Sequence, residues 1–303
     1  MSKKAQYLLE AHISDILNNV DTFLFDCDGV LWNYDDLIPG ALDCVNKLKK
    51  QGKTVYFITN NSTKTRKNYC KKFTDLKFDV HEDEIICTAY IAALYLHNNN
   101  FKGKVYPIGS PGLLEELDNF NIAHTDVVPD PTVGNILEWC NIKLDPEVTC
   151  VLVAFDEHIT FNKIMKAATY IKKKNCLFLA TNEDAALPMP GNMVIPGTGT
   201  MVNAVKTPAG KEPIVVGKPH STIIDLLIKQ KGLVPAKSMM IGDRLNTDIA
   251  FAKNHHLKSL LVLSGISTEE DIHKAEENPN DPKAYVPDFY LPSLKEFSEL
   301  LPE

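Results

Sequence analysis

The sequence predicts an α/β protein built on a doubly wound parallel sheet. Short apolar runs recur along the 303 residues, and most are followed by a segment with apolar residues at helical spacing. Several of the runs end in polar or acidic residues, which open α/β sheets place at the carboxyl ends of their strands. Strands that alternate with helices imply right-handed crossovers between parallel neighbours. We therefore expect a Rossmann-like core.

The first strand is Phe23-Leu24-Phe25, an apolar run that is too short for a helix and bounded by polar residues. It stops at Asp26 and Asp28, and an ionised carboxylate is too costly to bury without a partner. The two carboxylates must therefore emerge at the end of the strand, where closely spaced oxygen ligands suit Mg²⁺. An Asp-x-Asp-Gly string also forms ordinary solvated turns. The buried strand before it favours a site for phosphate chemistry.

The second strand, Val55-Tyr56-Phe57-Ile58, follows a helix predicted at 41–48 and ends in three polar residues, Thr59, Asn60 and Asn61. A parallel crossover brings this end beside the two aspartates. Hydroxyl, amide and backbone N–H donors at the start of a following helix can bind a phosphate. The same residue types are also typical of a helix N-cap and turn.

An inserted domain is predicted between the two halves of the core. Residues from about 100 to 210 contain strands and helices of their own, and a structureless connection of that length is implausible in a compact protein. We predict a core formed by residues 1–95 and 209–303, with an inserted α/β domain at 96–208. The Gly-rich stretch at 196–200 is predicted to form a turn whose backbone could approach a ligand.

The core is expected to resume with the strand Ile214-Val215-Val216, which leads to Lys218. A lysine after a strand is usually solvated, but here several carboxylates need a counter-charge. The strand Met239-Met240-Ile241 then runs into Asp243 and Asp248. We expect Asp243 to supply a metal ligand and Asp248 to orient the residues around it. A strand at 259–263, a surface loop at 274–288, and a last strand and helix follow.

Composition narrows the class of protein further. The net charge is −7 with scattered lysines and arginines, which does not favour a nucleic-acid partner. Seven dispersed cysteines are typical of reduced thiols in the cytosol. The sequence has neither a signal-peptide core nor an apolar segment long enough to cross a bilayer. We therefore expect a soluble cytoplasmic protein with no membrane partner.

Four motifs in this order resemble those of the haloacid dehalogenase superfamily of phosphatases. The order and spacing are most similar to the branch that holds 4-nitrophenylphosphatase, phosphoglycolate phosphatase and pyridoxal phosphate phosphatase. The resemblance covers nearly the whole chain, and it identifies the inserted domain as a cap. Asn246 departs from the pattern, because relatives often carry Asp there. The motifs are Asp26-Cys27-Asp28-Gly29-Val30, Thr59-Asn60-Asn61-Ser62, Gly217-Lys218-Pro219 and Gly242-Asp243-Arg244-Leu245-Asn246-Thr247-Asp248.

The resemblance implies a role for each motif. Asp26 would attack the phosphorus to form an aspartyl-phosphate, and Asp28 would protonate the leaving alkoxide and later take a proton from water. Mg²⁺ would be held by Asp26, the backbone carbonyl of Asp28 and Asp243. The cap would close over the site and join two chains into a homodimer. The substrate phosphate would be bound by Thr59, Asn60, Asn61 and Lys218, with Asp248 and Arg244 supporting the metal site.

The substrate is expected to be a small phosphorylated metabolite. The loop at 181–188 looks more like phosphoglycolate phosphatase than pyridoxal phosphate phosphatase, which tends to place a His near Leu187. We therefore expect 2-phosphoglycolate-type substrates and 4-nitrophenyl phosphate, with pyridoxal phosphate as the alternative.

Two hypotheses from other functional classes also remain open. A glycosyltransferase could hold a metal through the Asp-x-Asp pair, but this gives no role to Lys218 or Asp243. A non-catalytic phospho-ligand binding protein would fit better if Asp26 or Lys218 were replaced.

Overall fold

The computed structural model describes residues 4–187, 193–278 and 280–303. Its strands are β1 Gln6–Tyr7, β2 Thr22–Phe25, β3 Trp32–Asn33, β4 Asp36–Leu37, β5 Thr54–Thr59, β6 Ile85–Cys87, β7 Lys104–Ile108, β8 Val148–Val153, β9 Leu177–Ala180, β10 Ala186–Leu187, β11 Ile195–Pro196, β12 Ile214–Val215, β13 Ser238–Gly242, β14 Lys258–Val262 and β15 Phe289–Leu291. Its helices are α1 Glu10–Asn19, α2 Ala41–Lys50, α3 Arg66–Asp75, α4 Thr88–Asn98, α5 Pro111–Asn119, α6 Ile136–Trp139, α7 Phe161–Ile171, α8 Thr198–Ala209, α9 Thr222–Lys231, α10 Ala250–Asn254, α11 Glu269–Glu277 and α12 Leu294–Leu300.

The core sheet has the strand order β1-β15-β14-β13-β2-β5-β6, and every neighbouring pair is parallel. Strand β2 lies between β5, which is the next strand of this sheet along the chain, and β13, which comes much later in the chain. The direction of winding therefore reverses at β2, and open α/β sheets place their ligand crevice at such a switch point. All four residues of β2 are buried, as expected for a central parallel strand. The predicted doubly wound core is confirmed.

A second parallel sheet has the order β12-β9-β8-β7 and carries its own apolar cluster with α7 and α8. This is the inserted α/β domain that the sequence predicts. One assignment is wrong: Ile214–Val215 pairs with β9 of this second sheet, not with the core. Helix α8 connects β9 to β12, so the strand completes a βαβ unit of the inserted domain before the chain returns to the core. The domain boundaries after residues 95 and 208 remain predictions.

The inserted domain packs against the core through an apolar helix. Helix α4 is buried on almost every side and packs against α5 and α9. The main apolar cluster runs without a break from the core into Leu152 and Leu179 of the second sheet. The two domains therefore share packed surface in this structure.

Two local predictions are corrected by the structure. The stretch at 196–200 is not a turn: Gly197 is the N-cap of α8, and the helix begins at Thr198. Only a glycine fits at Gly199, where a Cβ would lie 2.5 Å from the carbonyl oxygen of Glu183. The loop expected at 274–288 begins later, because α11 continues to Glu277. None of the helices in the described residues is long and apolar enough to span a bilayer.

Candidate active site

Three carboxylates meet at the carboxyl ends of β2 and β13. These strands are parallel neighbours with Phe25 opposite Ile241, so Asp26 and Asp243 emerge side by side. Asp248 reaches the same point from a π-helical turn over Leu245–Ile249. One ligand oxygen from each carboxylate lies within 4.8 Å of the others. The sheet thus gathers the acidic residues of two distant motifs.

Lys218 supplies the counter-charge. Its Nζ lies 2.7 Å from Asp26 Oδ1 and 2.7 Å from Asp248 Oδ1, and it donates to the carbonyl oxygen of Ile58 over 2.9 Å. Burial by itself would lower the pKa of Lys218, but Asp248 and Asp26 outweigh it and raise the pKa above its ordinary value. The ammonium is therefore held charged within the carboxylate cluster.

Asp248 organises the loop that carries Asp243. Its Oδ2 accepts from the backbone N–H groups of Asp243 at 3.2 Å and Arg244 at 3.1 Å. Gly242 leaves room for this contact, because a Cβ there would lie 2.2 Å from the Asp248 Cβ. Since its other oxygen faces Lys218, the Asp248 carboxylate is engaged at both ends.

Asp243 keeps one oxygen without a partner. Its Oδ2 accepts from the Ile266 N–H at 2.8 Å, whereas its buried Oδ1 has no hydrogen-bond partner among the described residues. Burial, reinforced by the charge of Asp248, raises the pKa of Asp243 to about 7. Burial also raises the pKa of Asp26 well above its ordinary value, against the opposing effect of Lys218. An unpaired carboxylate oxygen beside a second buried carboxylate fits Mg²⁺, a hard cation that takes oxygen ligands.

The Thr59–Asn61 loop makes contacts within the protein that the sequence did not predict. The Asn60 carboxamide accepts from the Lys218 N–H at 2.9 Å and donates to the Lys218 carbonyl at 3.1 Å, so its side chain holds Lys218 in place. Asn61 Oδ1 accepts from the N–H and hydroxyl of Thr63 within its own turn. Helix α3 is capped by Thr65, not by Thr59. Thr59 is buried as the last residue of β5, its Oγ1 accepts from the Asn61 N–H at 3.1 Å, and phosphate binding by it remains a prediction.

Asp28 stands apart from the Lys218 cluster. Its Oδ1 accepts from the indole N–H of Trp32 at 2.9 Å. In the described part of the chain this is the one hydrogen bond made by its carboxyl group. Sequence reasoning did not single out Trp32, although its position four residues after Asp28 was visible.

The loop of the inserted domain that the sequence analysis used for the substrate prediction also contacts the site, through hydrogen bonds that the sequence did not predict. Asn182 Nδ2 donates to the carbonyl oxygen of Asn60 at 2.8 Å, and Asn182 Oδ1 accepts from the Asp184 N–H at 3.1 Å. Asp184 lies 3.8 Å from Nη1 of Arg244, and Arg244 Nη2 donates to the carbonyl of Ala186 at 3.4 Å. Burial raises the pKa of Asp184, while Arg244 opposes the shift. The sequence feature that could have indicated these contacts is the polar stretch after β9.

Leu187 is half-buried in β10, which pairs with β11 in a short antiparallel ribbon. Pro188, the last residue of the predicted loop, lies outside the described residues. His220 is exposed, and its Nε2 lies 4.0 Å from Oε2 of Glu183.

The fold and the site define a class of hydrolase with a parallel-sheet core, in which carboxylates and a lysine lie together at the switch point of the sheet. Residues 23–123 match a family model described as a haloacid dehalogenase-like hydrolase, and residues 215–297 match one described as HAD-hydrolase-like. The chain belongs to this family, as its motifs predict.

Related proteins refine this class. Human glycerol-3-phosphate phosphatase is 39% identical over 297 residues, which cover 95% of this chain and 92% of that protein. Phosphoglycolate phosphatase 2 of Arabidopsis thaliana is 37% identical over 98% of each chain. The solved p-nitrophenyl phosphatase of Archaeoglobus fulgidus is 28% identical, with a TM-score of 0.79 over 93% of this chain and 100% of that one. Within its family, the chain is an enzyme of the phosphatase type.

Proposed function

We propose that this enzyme hydrolyses small phosphate monoesters with Mg²⁺, through an aspartyl-phosphate formed on Asp26. The observation that carries the proposal is the cluster in which one ammonium, that of Lys218, faces Asp26 and Asp248 while Asp243 Oδ1 has no hydrogen-bond partner in the described part of the chain. Such a cluster still has excess negative charge, and a divalent cation would compensate it.

The metal site would be formed by Asp26, the backbone carbonyl of Asp28 and Asp243. Bound Mg²⁺ would reduce the repulsion between an anionic nucleophile and an anionic phosphate. Asp248 would not ligate directly, because its two oxygens already hold Lys218 and the backbone of the Asp243 loop. Asn246 has no role in this set of metal ligands and supporting residues, which is consistent with its departure from the family pattern.

Asp26 would act as the nucleophile. Its carboxylate attacks the phosphorus while the bond from phosphorus to the ester oxygen breaks, which divides one difficult displacement into two easier ones. Lys218 would orient this carboxylate and bind a phosphate oxygen, with Thr59 and the Asn60–Asn61 loop lining the other side of the phosphate. These donors act where transition-state charge is spread.

Asp28 would move the protons. Its carboxyl lies two residues from the nucleophile but outside the Lys218 cluster, so it is not paired with the ammonium that holds Asp26. It would protonate the leaving alkoxide and then take a proton from the water that attacks the phosphoenzyme.

The loop of the inserted domain at 181–188 supports a proposal for the substrate class. We propose a small phosphorylated carboxylic acid of the 2-phosphoglycolate type, with glycerol 3-phosphate as a second candidate because a 39% identical relative is named for it. Pyridoxal phosphate is less favoured, since Leu187 stands near the position where such phosphatases tend to carry a His. The glycosyltransferase alternative is excluded by the family to which the chain belongs.

We further propose a cytoplasmic homodimer that forms through the inserted domain. All seven cysteines are free thiols, which fits a reducing compartment. The inserted domain exposes apolar side chains, among them Val133, Ile136 and Leu137, that a partner chain could cover. Sedimentation of the purified protein over a range of concentrations tests the dimer.

The function is tested by phosphate release from 2-phosphoglycolate, glycerol 3-phosphate, 4-nitrophenyl phosphate and pyridoxal phosphate, each with Mg²⁺ and with a chelator. We expect Mg²⁺-dependent hydrolysis of 4-nitrophenyl phosphate and of at least one of the first two compounds. A preference for pyridoxal phosphate would reverse the substrate proposal. Release from none of them would leave the non-catalytic binding protein as the better reading.

A further inference from the structure

Trp32 donates its indole N–H to Oδ1 of Asp28 over 2.9 Å. We infer that Trp32 is a positioning residue that reserves Asp28 Oδ2 as the oxygen that gives and takes the catalytic proton. The inference rests on the proposed role of Asp28 as the acid and base of the reaction. It assigns a supporting residue, Trp32, and a particular oxygen atom, Asp28 Oδ2, to that role.

The hydrogen-bonding chemistry of the indole supports different roles for the two carboxyl oxygens of Asp28. An indole N–H is a donor only, so the Asp28 oxygen that it contacts is an acceptor in every state of the reaction. A neutral carboxylic acid accepts more strongly through its carbonyl oxygen than through its hydroxyl oxygen. When Asp28 is protonated, Trp32 therefore favours the carbonyl at Oδ1 and the O–H at Oδ2.

The indole is held rigidly enough to impose this choice. Trp32 is fully buried, its ring lies edge-on to Phe73 with the centroids 5.0 Å apart, and the Lys72 ammonium lies 4.3 Å from the ring centroid. Its backbone closes the turn that carries Asp28, because its carbonyl accepts from the Gly29 N–H at 2.8 Å. Acid and donor are thus parts of one packed turn.

The proton then follows one path. As the bond from Asp26 to phosphorus forms and the ester P–O bond breaks, the proton on Asp28 Oδ2 passes to the leaving oxygen, and a neutral alcohol departs. Water next attacks the phosphorus and gives a proton to the same Oδ2 while the bond to Asp26 breaks and inorganic phosphate leaves. Trp32 keeps its own proton throughout and stabilises the Asp28 carboxylate between the two steps.

The test compares two leaving groups in Trp32→Phe, which keeps an aromatic ring and removes the donor. An alkoxide needs a proton to leave, whereas 4-nitrophenolate leaves without one. We expect kcat/KM for the better alkyl phosphate substrate to fall about tenfold to a hundredfold, and kcat/KM for 4-nitrophenyl phosphate to stay within about twofold. The ratio kcat/KM is the correct quantity because it covers steps only up to leaving-group departure.

Two variants control for packing. Trp139→Phe removes the other tryptophan, whose indole donates to Val133 in the inserted domain, and should change neither rate. Phe73→Leu loosens the packing of Trp32 but keeps its N–H, so the difference in loss between the two substrates should be smaller than in Trp32→Phe. If Trp32→Phe does not fold, a benzothiophene side chain at position 32 in the Trp139→Phe background replaces only the N–H by sulfur.

An equal loss on both substrates in Trp32→Phe or the benzothiophene variant, or no loss on either, would overturn the inference while leaving the phosphatase proposal intact. If the wild-type enzyme hydrolysed neither substrate, the proposed function would fail first and the inference with it.

Discussion

The ammonium nitrogen of Lys218 lies 2.7 Å from Oδ1 of Asp248, and the other oxygen of Asp248 accepts from the N–H of Asp243. Lys218 also contacts Asp26 at the same distance. One cation therefore links the residue proposed as the nucleophile to the loop that carries the proposed metal ligand. Its removal should disturb both charge balance and loop geometry, so activity and stability should fall together.

Lys218→Met tests this link. Removing the ammonium leaves the buried Asp248 and the partly buried Asp26 without their cation, and we expect a loss of about 3 kcal/mol in the free energy of unfolding. Turnover should fall by about a thousandfold or more. Lys163→Met is the matched control, because Lys163 forms a buried ion pair with Asp156 at 2.6 Å in the inserted domain. It should lose similar stability but keep activity below its unfolding temperature, and retained activity in Lys218→Met would contradict the assignment.

Asp26→Asn separates chemistry from folding. The amide keeps the volume of the carboxylate but cannot attack phosphorus, so turnover should fall by at least about a thousandfold. Burial raises the pKa of Asp26, which means that its ionised form is unfavourable in the fold near neutral pH. The thermal midpoint of Asp26→Asn should therefore equal or exceed that of the wild type. Asp21→Asn, at an exposed ion pair with Lys237, should leave activity unchanged, and substantial turnover by Asp26→Asn would require another nucleophile.

The pKa of Asp243 sets a pH dependence for metal binding. Because burial and Asp248 raise this pKa to about 7, the metal-free site holds a proton at lower pH, and Mg²⁺ must displace it. The association constant should fall about tenfold for each pH unit below 7 per displaced proton, and it should level off above 7. Calorimetric titration of Mg²⁺ without substrate, in buffers of different ionisation enthalpy, measures the affinity and the protons released. A constant affinity across pH 7 would show that the site takes up no such proton.

The contact from the inserted domain to Asn60 predicts an effect away from the reacting atoms. Asn182→Ala removes the donor to the Asn60 carbonyl and the acceptor for the Asp184 N–H. We expect a loss of about 1–2 kcal/mol in unfolding free energy. The value of kcat/KM should fall between about tenfold and a hundredfold, because Asn60 positions Lys218. Asn162→Ala removes a side-chain hydrogen bond to Asp130 in the same domain and should leave the rate unchanged.

The core of the site could be predicted because each motif follows a strand. Asp26 and Asp243 had to meet once β2 and β13 were parallel neighbours, and the apolar runs before them indicated those strands. Lys218 reached the same crevice although β12 belongs to the other sheet, since the two-residue strand Ile214–Val215 ends close to the Asn60 loop that holds the lysine.

The remaining contacts depend on three-dimensional geometry that the spacing of residues along the sequence does not determine. A short apolar strand such as Ile214–Val215 fits the edge of either sheet, and the crossover through α8 decides which one it joins. The contact between Asn182 and Asn60 requires both domains to be placed. The hydrogen bonds between the Asn60 carboxamide and the Lys218 backbone likewise appear only when the two loops are brought together.

The most direct test of the central claim is to trap the phosphoenzyme in Asp28→Asn with Mg²⁺ and 4-nitrophenyl phosphate. The leaving group needs no acid, so 4-nitrophenolate should appear in a burst of about one equivalent per site, whereas hydrolysis of the intermediate should stall without its base. Acid quenching and peptide mass spectrometry should then find a phosphate on Asp26 that hydroxylamine removes, and none in Asp26→Asn. Steady wild-type turnover with neither a burst nor a phosphorylated Asp26 in Asp28→Asn would contradict the proposed mechanism.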